Sequence, residues 1–184
     1  DISGVSGASA AESGTQQVSI SITESNSAPT VTLTTNDSSL SESDSDATLT
    51  ATLSLATYQN VTVTLDTSGS ASEGTDYANI SNITVSAGST TGTTAFNPTD
   101  DSHYDAASAE SATVYISGVS GGAATESGTQ TLAIAITDNE NAPTVSLSSS
   151  ASTVADHESD LTITATLSHT TYATTTVLID GTAA

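Results

Sequence analysis

The sequence contains no basic residue: its 184 residues include 21 Asp and Glu but no Lys or Arg, and its formal net charge is -21. Proteins that bind nucleic acids neutralise phosphates with Lys and Arg, so this composition argues strongly against nucleic-acid binding. It also disfavours attraction to an anionic membrane surface. Because no Lys or Arg can pair with the carboxylates, their repulsion must be offset from solution, and a divalent cation is the obvious candidate.

Cys, Met and Trp are also absent, and the aromatic residues are limited to five Tyr and one Phe. Without Cys the chain forms no disulfide. No apolar run approaches the roughly 20 residues of a membrane-spanning helix, so we expect no membrane insertion. Ser and Thr fill more than a third of the sequence, while 35% of the residues are hydrophobic. This composition predicts a folded chain with a thin core of Val, Ile, Leu and Ala.

The sequence repeats itself with an offset of 114 residues. Ile2–Gly7 recurs as Ile116–Gly121, and Ala28-Pro29 recurs as Ala142-Pro143. The match runs without a gap from residues 2–70 to residues 116–184, with about half of the positions identical. A repeat of this length is the size of one domain, which indicates duplicated units.

The two Ala-Pro pairs mark the predicted boundaries, because each follows a polar stretch and precedes an alternating run. Residues 1–28 are then the C-terminal part of a preceding repeat, 29–142 a complete repeat, and 143–184 the N-terminal part of a following repeat. Each flanking part has too few strands to bury a sheet face alone. We therefore expect a window from a longer tandem array, in which neighbouring repeats of the same chain are partners.

Short alternating runs of apolar and small polar residues predict strands throughout the complete repeat. The predicted strands are Thr30–Thr35, Ala47–Thr57, Val61–Asp66, Asn82–Ser86, Thr91–Phe96, Ser111–Ser117 and Thr129–Thr137. No stretch keeps helical spacing over three turns. Seven short strands in about 110 residues favour an all-β, immunoglobulin-like antiparallel Greek-key sandwich, repeated in tandem.

The acidic residues of the complete repeat concentrate between these strands. They are Glu42, Asp44, Asp46, Glu73, Asp76, Asp100, Asp101, Asp105, Glu110, Asp138 and Glu140. Alternate connections of a sandwich lie at the same end, so we expect most of this charge to converge there. Calcium takes six to eight oxygen ligands from loops of this kind, whereas magnesium demands stricter geometry and keeps its waters. The pattern therefore favours calcium.

Six motifs in a fixed order resemble the Calx-beta domains. They are Glu42 before the second strand, the segment Ser68–Tyr77, the turn Ala87-Gly88, the pair Asp100-Asp101, the group Tyr104, Asp105 and Glu110, and the closing run Asp138-Asn139-Glu140. The resemblance covers the complete repeat and both partial ones. It implies a sandwich that binds calcium at one end, near the junction with the next domain.

The calcium ligands implied by this resemblance are eight carboxylates: Glu42, Asp76, Asp100, Asp101, Asp105, Glu110, Asp138 and Glu140. Asp105 and Glu110 lie further apart than the acid pair typical of the family, and Asn139 stands where a third acid is common. The alternative is that these acids are simply solvated, which is the usual state of Asp and Glu.

These observations favour a structural role: a secreted, extracellular or cell-surface array stiffened by calcium, such as an adhesin stalk or a filament in which identical chains assemble. One alternative is a module that binds carbohydrate or another cell, although few aromatics are present to form a sugar platform. Another is a regulatory calcium sensor, as some Calx-beta domains are.

Enzyme activity is not expected. His103 lies beside Asp100 and Asp101 in the sequence, where a nucleophilic site with a Ser is conceivable. However, no nucleophile-elbow motif, zinc-type His spacing or phosphate-binding loop is present. Glycans are possible partners, because Asn36, Asn60, Asn79 and Asn82 begin N-x-S/T sequons; a Ser- and Thr-rich chain also produces such sequons by accident.

Overall fold

A computed structural model describes residues 2–105, 109–155, 157 and 160–181. All the regular elements in these ranges are β-strands, and the described residues contain no helix able to cross a membrane. The strands are β1 (Thr30–Thr35), β2 (Ser39–Ser41), β3 (Ala47–Leu53), β4 (Val61–Gly69), β5 (Ile83–Val85), β6 (Thr91–Phe96), β7 (Glu110–Ser120), β8 (Thr125–Glu126), β9 (Thr131–Thr137), β10 (Val145–Ser149) and β11 (Ile163–Leu167).

Strands β1 to β9 form two sheets that enclose one hydrophobic core. The four-stranded sheet has the order β6-β3-β1-β8, and the five-stranded sheet has the order β2-β9-β7-β4-β5. Buried side chains from both sheets belong to a single cluster. The all-β, immunoglobulin-like sandwich predicted from the sequence is therefore confirmed.

The core follows from the alternation of the strands. In β3, Ala47, Leu49, Ala51 and Leu53 are buried, while the Thr residues between them point away from the core, where β-branched side chains suit a half-exposed strand. The core also contains two aromatic rings. The rings of Tyr77 and Phe96 are almost completely buried and stack with their centroids 4.7 Å apart.

The expectation of a purely antiparallel sandwich of seven strands was wrong in one respect. All seven predicted strands form, but β2 and β8 add to them, and each pairs in parallel, β2 with β9 and β8 with β1. For β2, a turn after β1 carries the chain to the other sheet. There the Asn36 side chain accepts a hydrogen bond from the Thr48 amide, and Asp37 accepts one from Ser39.

The flanking segments bury little apolar surface. Residues 2–28 contain no strand, and Val18, Ile20 and Ile22 are 81–93% exposed. Strands β10 and β11 form a two-stranded sheet whose side chains are almost all exposed. Their register places Val145 opposite Leu167, which matches Val31 opposite Leu53 at the offset of 114 residues. The repeat boundaries themselves stay a prediction.

Candidate metal centre

One acidic cluster forms where β2 and β9 end side by side. Because the two strands are parallel, they finish at the same edge of the sheet, and the Glu42 amide donates to the Thr137 carbonyl at 3.1 Å. This pairing brings the Glu42 side chain next to the residues that follow β9. Glu42, Asp138 and Glu140 each offer a carboxylate oxygen, and these three atoms lie within 4.8 Å of one another.

A second acidic cluster joins the start of β7 to two loops. Asp76 lies between β4 and β5, Asp105 lies between β6 and β7, and Glu110 is the first residue of β7. One carboxylate oxygen from each residue again lies within 4.8 Å of the other two. This arrangement confirms that acids distant in the sequence converge at one end of the sandwich.

Backbone hydrogen bonds hold the two clusters together. The Asp105 amide donates to the Asp138 carboxylate at 2.7 Å, so a member of the second cluster is bound directly to a member of the first. Asp138 also accepts a hydrogen bond of 2.7 Å from the Glu140 amide. The loop that carries Asp76 is fixed to the other loop, because the Thr99 amide donates to the Asp76 carbonyl at 3.0 Å.

The geometry perturbs the pKa values of several of these carboxyl groups. Burial, together with the nearby Asp138 carboxylate, raises the pKa of Glu42 from 4.5 to about 7. Burial and the neighbouring Asp76 raise the pKa of Glu110 to about 7 as well. Burial and the Asp101 charge raise the pKa of Asp105. The clusters therefore hold more negative charge in a small volume than the described protein groups can neutralise.

Two carboxylate oxygens of the first cluster have no hydrogen-bond partner within the described ranges. They are Glu42 Oε2 and Glu140 Oε2, and both are buried. Buried polar atoms are nearly always paired, so these oxygens call for a partner that the protein does not supply. A hard cation that prefers oxygen ligands satisfies this need, and calcium accepts six to eight of them in flexible geometry. The donor set therefore fits calcium.

Asp100 and Asp101 lie beside the clusters rather than inside them. The Asp100 carboxylate accepts a hydrogen bond of 2.9 Å from the Asn139 side chain. Although burial alone would raise it, the pKa of Asp101 is lowered by hydrogen bonds from the His103 amide and the Tyr172 hydroxyl. All eight acids singled out in the sequence thus lie at one end, and six of them form the two clusters. Their role as ligands stays a prediction.

Asp101 also belongs to a contact that the sequence reasoning missed. The Tyr172 hydroxyl, from the segment after β11, donates to Asp101 at 2.8 Å, and its ring stacks on His103 with the centroids 4.7 Å apart. The Tyr104 amide donates to the Thr170 carbonyl at 3.0 Å. His103 therefore takes part in a contact between the sandwich and the segment that follows it. Tyr172 could have been noticed as the repeat equivalent of Tyr58.

The fold is that of a Calx-beta domain, as the sequence motifs predicted. A crystal structure of the CBD1 domain of Calx in its apo form matches with a TM-score of 0.50 and 15% identity, covering 60% of this chain and 99% of that one. The structure of CBD12 from CALX1.2 matches with the same score and identity, covering 59% of this chain and 44% of that one. At this identity the likeness establishes the fold alone.

No protein-family model matches the sequence, and no curated protein sequence matches it significantly. The relation to Calx domains therefore rests on the shape of the sandwich and on the motifs described above.

Proposed function

We propose that this protein is part of an extracellular or cell-surface tandem array whose joints are stiffened by calcium. The calcium would be held by the acidic end of the sandwich formed by residues 29–142, and the neighbouring partners would be other repeats of the same chain. The observation that carries this proposal is the double role of one loop. Asp101 and Asp105 lie four residues apart, and the first contacts Tyr172 while the second belongs to an acidic cluster.

Calcium would act on the joint through the residues that surround it. Asp138 and Glu140 belong to a cluster and also lie in the segment that connects β9 to β10. The connection then passes through Ala142 to Pro143, and proline fixes its own φ and favours extended geometry in the residue before it. A cation bound to Asp138 and Glu140 would leave few soft dihedrals in this linker. This is the behaviour expected of a spacer such as an adhesin stalk or a filament.

The following segment is also tied to the linker. The His169 ring nitrogen Nε2 contacts the Asn141 carbonyl, and its other nitrogen lies 3.1 Å from the Ser168 hydroxyl. Together with Tyr172, these contacts join the β10–β11 sheet to the acidic end at two places. Metal binding and joint geometry would therefore be coupled by direct contacts.

Calorimetric titration of calcium into the full chain tests the proposal. Changing Asp105→Asn and Asp138→Asn together should weaken calcium binding at least about tenfold, a change of ~1.4 kcal/mol, because one charged ligand is lost from each cluster. The matched control is Asp44→Asn with Asp46→Asn, which removes the same charge outside the clusters and should change affinity little. Equal losses in the two variants would mean that the charge acts diffusely and that no defined site exists.

A further inference from the structure

A cavity of about 360 Å³ lies at the opposite end of the sandwich from the acidic clusters. Two of its walls are the segment before β1, including Glu24 and Pro29, and the turn after β3, including Thr57 and Tyr58; the third is the turn between β7 and β8, at Gly122 and Ala123. Tyr58 is fully exposed, although its ring borders the cavity. A single exposed aromatic side chain is ordinary by itself, so the comparison of Tyr58 with its repeat equivalent Tyr172 carries the inference.

The repeat relates this cavity to the joint at the other end. Moving 114 residues along the sequence takes the first two walls to residues 138–143 and to residues 169–173, while the third wall has no equivalent in these 184 residues. There, the turn carrying Thr170 and Tyr172 is covered by the loop Asp101–Tyr104. These two pieces of chain therefore have repeat equivalents in this protein, and an acidic loop packs on one pair and not on the other.

The local structure of the uncovered copy matches that of the covered copy. The Thr57 hydroxyl donates to the Gln59 carbonyl, and the Thr171 hydroxyl donates in the same way to the Ala173 carbonyl. At the base of the turn, the Thr30 amide donates to the Ser54 hydroxyl at 2.9 Å. The equivalent bond, from the Thr144 amide to the Ser168 hydroxyl, is 3.0 Å long. The turn that presents Tyr58 is thus already in the conformation that presents Tyr172.

The linker beside the turn is also preformed. Glu24 accepts a hydrogen bond from the Asn26 amide, as Asp138 does from the Glu140 amide. Six of the ten positions in these two walls differ from their repeat equivalents, including Leu55, which stands where the following segment has His169. At the covered joint, His169 contacts the linker rather than the docked loop. The docked loop contacts the Tyr172 side chain and the Thr170 carbonyl, and the uncovered copy offers Tyr58 and the Ala56 carbonyl at the same positions.

We propose that the cavity beside Tyr58 is the docking site for the acidic loop of a preceding repeat, the loop that corresponds to Asp100–Asp105 in this one. The Tyr58 hydroxyl would donate a hydrogen bond to the residue of that loop that corresponds to Asp101, and the Tyr58 ring would stack on the residue that corresponds to His103. Tyr172 makes these two contacts with Asp101 and His103 themselves. The inference rests on the proposed tandem array, and it identifies the surface and the residues by which one repeat recognises the previous one.

The test is the full chain with one extra complete repeat, residues 29–142, inserted after Ala28. In the inserted repeat Tyr58 is changed to Phe, so that the remaining Tyr58 reports only on the new joint. The rate of tyrosine nitration is then followed in calcium by mass spectrometry. Tyr58 should react at least about tenfold more slowly than in the parent chain, since one charge-assisted hydrogen bond is worth ~1.5 kcal/mol or more. Tyr172, which is 57% exposed but hydrogen-bonded to Asp101 and stacked on His103, serves as the internal reference for a docked ring.

The matched control carries Asp101→Asn and His103→Ala in the inserted repeat only, and it should restore most of the fast reaction at Tyr58. If Tyr58 of the unaltered inserted chain reacts as fast as in the parent, the docking proposal is wrong. If nitration of Tyr58 in the parent chain slows as the protein concentration rises, the cavity binds a second molecule of the same chain instead. Calcium titration of the parent chain measures metal binding independently of docking. A failure of docking can therefore be distinguished from a failure of metal binding.

Discussion

At the residue scale, the absence of Lys and Arg leaves a buried carboxylate with no Lys or Arg side chain to pair with. Glu42 is the clearest case, because it is 6% exposed and one of its oxygens has no hydrogen-bond partner in the described parts of the chain. In most proteins a buried acid pairs with a basic residue. Here it faces Asp138 and Glu140 instead. The metal-free protein is therefore under electrostatic repulsion at this end.

Replacing Glu42 by Gln should stabilise the metal-free protein and weaken its response to calcium. The raised pKa shows that the charged carboxylate is disfavoured there, so the neutral amide should gain about 1–2 kcal/mol in stability above pH 7. The stabilisation by saturating calcium, ~2.7 kcal/mol at about 100 times the dissociation constant, should shrink. Thermal unfolding with and without calcium measures both effects. Asp44→Asn is the control, and the same behaviour in both variants would contradict the role given to Glu42.

The pH dependence of the metal-free protein follows from the same groups. Between about pH 4.5 and 7 the folded state keeps protons on Glu42 and Glu110 that the unfolded state has released. Stability must then fall as pH rises through this window, and the loss is complete above it. In calcium the trend should reverse, because deprotonation strengthens metal binding. Melting temperatures at about pH 5 and pH 8 test this. A metal-free protein that is more stable at the higher pH would refute it.

At the scale of the elements, alternation predicted the long strands well and the short ones not at all. Strands β1 and β6 begin and end as the pattern indicated, since each has several inward-facing positions. In contrast, β2 and β8 have only three and two residues, too few to show a period of two. Glu42, which directly follows β2, was singled out by the motif resemblance and not by periodicity.

The candidate site shows a similar division. The convergence of acids from separate loops followed from the order of the strands, and the structure confirms it for both clusters. The contact of Tyr172 with Asp101 did not follow, because the two residues are 71 positions apart and belong to different repeat units. Neither periodicity nor composition specifies how one unit rests on another. Such a contact depends on the geometry of the linker and becomes visible only in three dimensions.

Gly69 at the end of β4 is required for the shape of the acidic end. Its φ is +130°, and an added Cβ would lie 2.0 Å from the Ser111 carbonyl oxygen. Gly69→Ala should therefore lower the free energy of unfolding by more than ~2 kcal/mol, from strain and displacement of the strand together. It should also weaken calcium binding, since the loop after β4 carries Asp76 and β7 carries Glu110. Urea unfolding and calorimetry measure the two effects.

The control for this variant is Gly88→Ala. Gly88 also has a positive φ, of +81°, but an added Cβ would meet nothing within 4 Å. It should cost only the backbone strain, about 1 kcal/mol, and leave calcium binding unchanged. If both variants lose the same stability and both keep their calcium affinity, the close approach at Ser111 does not shape the site.

At the scale of the whole molecule, one end of the sandwich carries both the acidic clusters and the contact with the segment after β11. The formal charge of -21 would make adjacent units repel one another, and in the metal-free state this repulsion concentrates where the units meet. A bound cation would turn the most repulsive part of the surface into the point of attachment. Repetition of the same joint along an array would then produce an extended, stiff molecule whose reach grows with the number of units.

Small-angle X-ray scattering of a chain of several 114-residue units, in calcium and in chelator, tests this account most directly. In calcium, the occupied clusters and the contact of Tyr172 with Asp101 should hold each joint, and the scattering should be that of an extended rod. In chelator, the joints should gain freedom and the molecules should become more compact or more heterogeneous. Superimposable curves in the two conditions would contradict the account, because calcium would then not set the joint even if it binds.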